Sequence, residues 1–209
     1  GTMLCHNPSS NLRLSSGVAP INRLLARGVE VAIGIDEAGI NDDNDLLQEM
    51  RLAQKIHREP GVGVPNPSSH RIFDMATRAG AEVTFFGNQV GTLEVGKRAD
   101  IVLLELSRIS EPYLDPDTDI VDAIVYRGKG EDVDTVIVDG EVLLKERELT
   151  RVNKADVHAE LKASLSQPLK SHELNRAALS SALVPHVNQW FANWALEQAD
   201  PHYRYNARG

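Results

Sequence analysis

The stretch VAIGIDEAGINDD, residues 31–43, begins with residues that suit a buried strand and then changes character abruptly. Asp36 and Glu37 follow the apolar run directly, and a loop rich in Asn and Asp comes after them. A run that is apolar at almost every position is typical of a strand buried on both faces in a parallel sheet. We therefore expect an α/β fold in which one strand, residues 29–36, ends in a carboxylate.

The segments around this strand favour the same fold class. Upstream, a short apolar piece ends near His6, and a short helix that ends at Gly28 leads into the strand. Downstream, residues 44–58 repeat their apolar positions with the helical period, and Ser68 caps a further helix over residues 70–81. This order of strand, helix, strand, helix and helix is typical of parallel α/β units.

Two details of these helices are predicted from the same pattern. The helix over residues 44–58 has several acidic or amide residues at its start, where a capping side chain is expected. The candidate caps are Asp42, Asp43 and Asn44. His57 and His70 are expected to lie on solvated helix faces.

The pattern changes near Phe86. Residues 100–106 and 119–128 are predicted to be strands, and two β-rich runs flank Asp139-Gly140, a pair that fits a type I′ hairpin turn. From Asn153 onward the pattern is helical, and Pro185 should kink or split the last helix. The sequence thus predicts an α/β part, a β part and a helical tail.

Composition excludes several classes of protein. The chain has 209 residues and a formal charge of −8, which disfavours nucleic acid as a partner. The single cysteine, Cys5, rules out a disulfide framework or a cysteine-based zinc site within the chain, and it fits a reducing cytoplasm. No apolar run approaches the ~20 residues that a membrane helix needs.

Two strand ends carry candidate chemistry, because loops after the carboxyl ends of parallel strands hold the sites of such folds. One end carries His6, Asn7 and Asn11, and the other carries Asp36 and Glu37. A carboxylate there can bind a divalent metal and accept a proton from water. A helix cap or an ordinary loop acid explains Asp36 equally well from the pattern alone, and a lone histidine is more often structural. A catalytic zinc normally takes three protein ligands, so the ligand count does not give this chain a metal site of its own.

The segment HNPSSNLRLSSGVAPINRLLARGVEVAIGIDEAGINDDNDLLQEMRLA, residues 6–53, looks like the part around the last two barrel strands of the amidohydrolase superfamily, and within it of the cytosine deaminase-like group. Residues 76–106 and 133–144 resemble its return from the barrel into a small β-sandwich. The group includes S-adenosylhomocysteine/methylthioadenosine deaminases, guanine deaminases and triazine chlorohydrolases and aminohydrolases.

The resemblance implies a fold: the C-terminal part of a distorted (β/α)8 metal-dependent hydrolase barrel, part of a β-sandwich and a helical tail. Residues 1–88 would hold the last two β/α units and the helices after them. Residues 89–150 would belong to the sandwich, and residues 151–209 would form the C-terminal helical segment.

The resemblance also implies a function: metal-dependent hydrolytic deamination, or dechlorination, of an N-heterocycle such as a purine, a nucleoside derivative or a triazine. The enzyme class is a hydrolase acting on carbon–nitrogen bonds other than peptide bonds. Asp36 matches the family's acid that ligates Zn²⁺, or another divalent metal such as Fe²⁺, and accepts a proton from the attacking water. His6, Asn7 and Asn11 would shape the substrate pocket. Glu37 stands where the group usually has Gly: it would either hydrogen-bond a ring N–H or an amine of the substrate or point to solvent, and the substrate side is favoured because the loop lies at the predicted mouth of the barrel.

The family's upstream histidines are absent from this sequence, which leaves a second interpretation open. The chain could be an inactive fragment or a non-catalytic binding or assembly module, and the isolated chain is predicted to be inactive. A longer enzyme is expected to be a cytoplasmic homodimer without nucleic-acid or membrane partners. Aromatic residues in the tail could pack on the barrel or on a second subunit, although packing within the chain is the favoured interpretation. These residues are Trp190, Phe191 and Trp194.

Overall fold

The computed structural model describes residues 2–37, 40, 43–64 and 66–192, which form two compact units. The first unit extends to Arg151 and the second begins at Val152. The candidate residues at the two strand ends all belong to the first unit. The three-segment division made from the sequence stays a prediction.

A two-stranded parallel sheet opens the first unit. The strands are β1, Met3–His6, and β2, Glu30–Ile33, with Met3 paired to Glu30 and His6 paired to Ile33. Two short helices connect them: α1, Pro8–Arg13, and α2, Ile21–Leu25. The predicted strand–helix–strand order is confirmed, but β2 ends at Ile33, earlier than the predicted Asp36.

Three helices follow β2: α3, Leu46–Ile56; α4, Ser69–Ala76; and α5, Arg78–Val83. The Ser68 side chain accepts a hydrogen bond from the Arg71 N–H and caps α4, as predicted. The cap of α3 is Asp45, whose carboxylate accepts hydrogen bonds from the N–H groups of Leu47 and Gln48. The predicted caps Asp43 and Asn44 are therefore wrong, and Asp42 lies outside the described residues.

Apolar side chains from β2 and the surrounding helices form one core cluster. Its members are Ile21, Val31, Ile33, Met50, Ala53, Ile72, Met75 and Val125. Each large member stabilises the fold by roughly 1.5–3 kcal/mol relative to an exposed position. The cluster fixes the helices against one face of the parallel sheet and so fixes the strand ends.

A four-stranded antiparallel sheet completes the first unit. Its strands follow the chain order β3, Ile101–Leu104; β4, Val133–Val138; β5, Glu141–Lys145; and β6, Glu148–Leu149. Asp139 has φ +51° and Gly140 has φ +81°, which are the positive angles that a type I′ turn requires. The predicted hairpin is confirmed.

The predicted strand over residues 119–128 is wrong. The structure has a short helix α6, Leu106–Ser110, and then a helix α7, Ile120–Arg127, in this region. Asp119 caps α7 through hydrogen bonds to two backbone N–H groups, and Ala123 and Val125 are buried. A short apolar run fits a strand and a buried helix equally well, so tertiary packing decided the outcome.

The second unit contains α8, Lys154–Leu165, and α9, Ser171–Ala192. Pro185 lies inside α9, which continues through it, so the helix is not split there, and the alternative that Pro185 kinks it stays a prediction. Trp190 is 57% exposed and Phe191 is 53% exposed, so the expected burial of these two side chains is wrong, although their rings contact each other within the chain. Trp194 lies outside the described residues. No described helix is both long and apolar enough to span a membrane.

Candidate functional site

The carboxyl ends of β1 and β2 lie side by side and form the candidate site. His6 pairs with Ile33 at these ends, and the Gly34 N–H donates to the His6 carbonyl at 2.9 Å. The segments that leave the two strands, residues 7–11 and 34–37, therefore start from the same place, as expected for parallel strands. We call this place the carboxyl edge.

Asp36 lies just beyond β2 in a left-handed backbone conformation, with φ +72°. Aspartate tolerates this conformation better than most residues, yet it remains uncommon, and such strained positions cluster at functional sites. Asp36 is exposed, and its Oδ2 accepts a hydrogen bond from Ser10 Oγ at 2.7 Å. The carboxylate is thus at the surface of the carboxyl edge and is tied to the neighbouring segment.

Asn7 packs closely against the segment after β2. A Cβ atom added to Gly34 would lie 2.6 Å from Asn7 Oδ1 and 2.8 Å from Cys5 Sγ, so only glycine leaves room for both side chains in these positions. The Cys5 thiol also donates to Asn7 Oδ1 at 3.5 Å. Partial burial raises the pKa of the Cys5 thiol, and the negative charge of Asp36 raises it further. The negative charge of Asp36 therefore reaches the Cys5 thiol, which is hydrogen-bonded to Asn7.

His6 points into the protein. It is 2% exposed, and its Nε2 lies 2.8 Å from Nε2 of His57, which is 5% exposed. Burial lowers the pKa of both imidazoles to about 4, and the His6 charge contributes for His57. Both rings are therefore neutral near pH 7, with one donating the shared hydrogen bond and the other accepting it.

This arrangement changes two expectations from the sequence. The prediction that His57 lies on a solvated helix face is wrong, because its partner His6 buries it at the end of α3. The His6 ring supports the loop from within, so its contact with substrate stays a prediction that the geometry does not favour. His70, by contrast, has a side chain that is 64% exposed, as predicted.

Asn11 and Glu37 lie near the carboxyl edge. Among the described residues, neither side chain has a recorded hydrogen bond or ion pair with another residue of the edge. Asn11 is half-buried and its N–H donates to the Asn7 carbonyl at 3.0 Å. Glu37 is exposed, and its carbonyl accepts a hydrogen bond from the Ile40 N–H at 3.0 Å. Their predicted roles in substrate binding stay predictions.

Some residues that build the edge carry no distinguishing signal in the sequence. Ser10 sits in a turn-rich stretch, and Glu49 and His57 look like ordinary polar positions of an amphipathic helix. Glu49 is fully buried, and its Oε2 accepts a hydrogen bond from the Ser9 N–H at 3.1 Å. Only the tertiary contacts reveal that α3 supports the segment after β1.

The donor atoms at the edge fit one part of a metal site. Across the residues that the structure describes, no three His, Cys, Asp or Glu side chains are grouped so that they could hold a metal ion. Asp36 offers a carboxylate of the kind that zinc accepts, while Nε2 of His6 is engaged by His57. The described residues can thus supply one carboxylate ligand, that of Asp36, to a metal ion.

Comparison with known proteins gives consistent similarities. The chain is 42% identical over 160 residues to a 5-methylthioadenosine/S-adenosylhomocysteine deaminase of Desulforudis audaxviator, covering 75% of this chain and 36% of the relative. It is 40% identical over 162 residues to the enzyme of that name from Moorella thermoacetica, covering 76% of this chain and 36% of the relative. The chain therefore spans about a third of the length of these relatives.

Solved structures with the same fold include zinc-bound hydrolases. An adenosine deaminase from Xanthomonas campestris with bound zinc has a TM-score of 0.68 at 30% identity, covering 76% of this chain and 36% of that one. Atrazine chlorohydrolase TrzN from Arthrobacter aurescens, complexed with zinc, has a TM-score of 0.70 at 28% identity, with 78% and 36% covered.

The family itself follows from a match along most of the first unit. The sequence profile of the amidohydrolase family matches residues 1–143, which is more than half of the chain. The α/β fold, the chemistry available at the carboxyl edge and the similarities to deaminases agree with this match. The chain belongs to the amidohydrolase family.

Proposed function

We propose that this chain supplies the metal-binding aspartate and part of the substrate pocket of a zinc-dependent deaminase. The observation that carries the proposal is the position of Asp36. Its carboxylate is exposed where two parallel strands end, in a strained backbone conformation, and Ser10 holds one of its oxygens. Similarity to enzymes that deaminate adenosine derivatives favours a purine nucleoside derivative as the substrate.

The proposal assigns the chemistry to named groups. Zinc, or another divalent metal in its place, supplies the Lewis acidity that lowers the pKa of water when it is bound. Asp36 would be one of the ligands of that metal and also the base: with Oδ2 held by Ser10, Oδ1 would accept the proton of the attacking water. The same carboxylate then hands the proton to the leaving nitrogen, because an amine leaves poorly until it is protonated.

The other candidate residues lie near Asp36, and the proposal assigns each of them a role. Asn7 and Asn11 line the pocket, and Glu37 hydrogen-bonds a ring N–H or the amine. His6 contributes by holding the segment that carries them. The remaining metal ligands come, in this proposal, from sequence outside this chain.

The finer architecture belongs to the same proposal. β1 and β2 are the last two strands of a (β/α)8 barrel, and the antiparallel sheet is part of a β-sandwich. The segments are residues 1–88, 89–150 and 151–209. The enzyme that contains them is proposed to be a cytoplasmic homodimer.

Dechlorination is a second candidate reaction, favoured by the structural likeness to atrazine chlorohydrolase. Deamination is preferred because the similarity to the deaminases is higher, at 40–42% identity against 28%. The same carboxylate serves both reactions, since each begins with the attack of deprotonated water on a ring carbon.

A chimera tests the proposal. Residues 1–151 would replace the matching segment of the Desulforudis audaxviator deaminase, and ammonia release from S-adenosylhomocysteine and 5′-methylthioadenosine would be measured together with bound zinc. We expect turnover, and a loss of about 10²–10⁴-fold in Asp36→Ala, the range typical of general acid–base catalysis. Asp117→Ala, at an exposed loop acid, is the matched control and should keep full activity.

Two outcomes would contradict the proposal. Full turnover of the Asp36→Ala chimera would remove Asp36 from the reaction. A chimera that folds and binds zinc but releases no ammonia would favour the alternative, in which this sequence is a non-catalytic module.

A further inference from the structure

Ser10 is a buried polar residue that reaches an exposed acid. It is 1% exposed, and its Oγ donates to Asp36 Oδ2 at 2.7 Å. The bond joins the segment after β1 to the segment after β2, which are 26 residues apart. Hydrogen bonds to an ionised acceptor are short and strong, and this distance has that character.

The position of the Ser10 hydroxyl is fixed by its own surroundings. The Ser10 carbonyl accepts a hydrogen bond from the Leu14 N–H at 2.9 Å, which closes a turn of α1. One residue earlier, the Ser9 N–H donates to the buried Glu49 carboxylate on α3. Ser10 is therefore a donor whose place is set by the packed part of the unit.

Among the residues that the structure describes, Asp36 has no support comparable to that of Ser10. It lies beyond the end of β2 and is exposed, so core packing does not restrict its side chain. Within the described ranges, the recorded hydrogen bond to its carboxylate is the one from Ser10. A side chain in this situation samples several rotamers unless a fixed partner selects one.

We infer that Ser10 is a positioning residue, which holds Oδ2 of Asp36 so that Oδ1 is presented at the carboxyl edge. The inference rests on the proposed function, because it assigns Ser10 to the orientation of the acid that performs the chemistry. Ser10 itself touches neither the substrate nor the reacting atoms.

Ser9 provides a matched control for Ser10. Its hydroxyl is buried and has no hydrogen-bond partner among the described residues, and its backbone contact with Glu49 does not depend on the side chain. Ser9→Ala and Ser10→Ala thus remove the same atom from adjacent positions, but only Ser10→Ala removes a bond to Asp36.

The first measurement uses the full 209-residue chain and does not depend on activity. Three-bond couplings from Hα and from the backbone carbonyl carbon to the Hβ protons of Asp36 report its χ1 rotamer by NMR. We expect one dominant rotamer in the wild type and in Ser9→Ala, and averaged couplings in Ser10→Ala. Ser10→Thr, which keeps the hydroxyl, should restore the wild-type couplings.

The second measurement uses the deaminase chimera. Ser10→Ala should lower kcat by about ten- to a hundredfold, the range for losing a hydrogen bond to a charged group, with KM changed less than about twofold. Ser9→Ala should match the wild type. If Ser10→Ala keeps both the kcat and the Asp36 couplings of the wild type, or if Ser9→Ala and Ser10→Ala lose activity equally, the inference is overturned. The proposed function fails separately, through an active Asp36→Ala chimera.

Discussion

Acidification should destabilise the first unit through the buried pair His6 and His57. Both imidazoles have a pKa of about 4 in the folded chain, because burial disfavours their charged forms. In the unfolded chain the pKa of histidine is about 6.5. Between these values the unfolded state binds more protons, so stability is complete above about pH 6.5 and is lost as the pH falls toward about 4.

The size of the effect follows from these pKa values. One histidine with this shift contributes up to about 3 kcal/mol of pH-dependent free energy of unfolding, of which about 2 kcal/mol is lost by pH 5. Because His6 and His57 share one hydrogen bond, the total for the pair lies below twice that amount. A loss of this size is a large fraction of the roughly 5–15 kcal/mol that stabilises a typical domain.

Native-state hydrogen exchange is the suitable assay, since the chain has two compact units and a global signal would mix them. Protection of peptides covering residues 29–35, corrected for the intrinsic exchange rate, gives the stability of the core around β2 at pH 7.5 and at pH 5. His57→Gln keeps a side-chain N–H that can donate to His6 but removes one titrating group. We expect its loss of stability between the two pH values to be smaller than that of the wild type by up to about 2 kcal/mol.

His158→Gln is the control, because His158 lies on an exposed helix of the second unit. Its loss on acidification should equal that of the wild type. If His57→Gln loses as much protection as the wild type, other groups cause the acid sensitivity and the reasoning from the histidine pair is refuted.

Three further predictions concern single residues. Gly34→Ala should push the Asn7 side chain away from the strand end, lower the free energy of unfolding by about 1–3 kcal/mol through overpacking and lower the turnover of the chimera. Gly80→Ala should instead stabilise α5 by roughly 0.5–1 kcal/mol, because a Cβ atom has space there. Native-state hydrogen exchange of the first unit checks both signs. Asp45→Ala removes the cap of α3 and should cost about 0.5–2 kcal/mol, seen as a loss of protection in peptides from α3. Glu37→Gln should raise the KM of the chimera about tenfold and leave kcat unchanged if this carboxylate binds the amine or ring N–H of the substrate; an unchanged KM would assign Glu37 to solvent.

Features set by neighbouring residues could be predicted from the sequence. The Asp139-Gly140 turn depends on the positive φ angles that this pair tolerates, and the Ser68 cap depends on a side chain next to the helix that it caps. The apolar pattern also indicated the strand before Asp36, although β2 ends at Ile33 and Asp36 lies in the segment after it. In each of these cases the information lies within a few residues.

Features set by distant contacts could not be predicted in this way. His57 stands between basic residues at the end of a helix and has the pattern of a solvated position, but its burial depends on His6, which is 51 residues away. Residues 119–128 carry an apolar run that suits either a strand or a helix, and packing against α3 and α4 decides for the helix. Ser10 gains its importance only because the fold brings it to Asp36.

The carboxyl edge depends on α3 as much as on the strands that form it. Glu49, Ala53 and His57 are spaced by four residues, so they lie along one side of this helix, and all three are buried. Ala53 belongs to the apolar core, while Glu49 holds the Ser9 backbone and His57 holds the His6 ring. Ser10 follows Ser9 directly and donates a hydrogen bond to Asp36. The position of the acid is therefore connected to the buried side of α3 through two hydrogen bonds, Ser10 to Asp36 and Ser9 to Glu49. The placement of the proposed catalytic group is thus a property of the packed core, and a motif at the strand end gives only its identity.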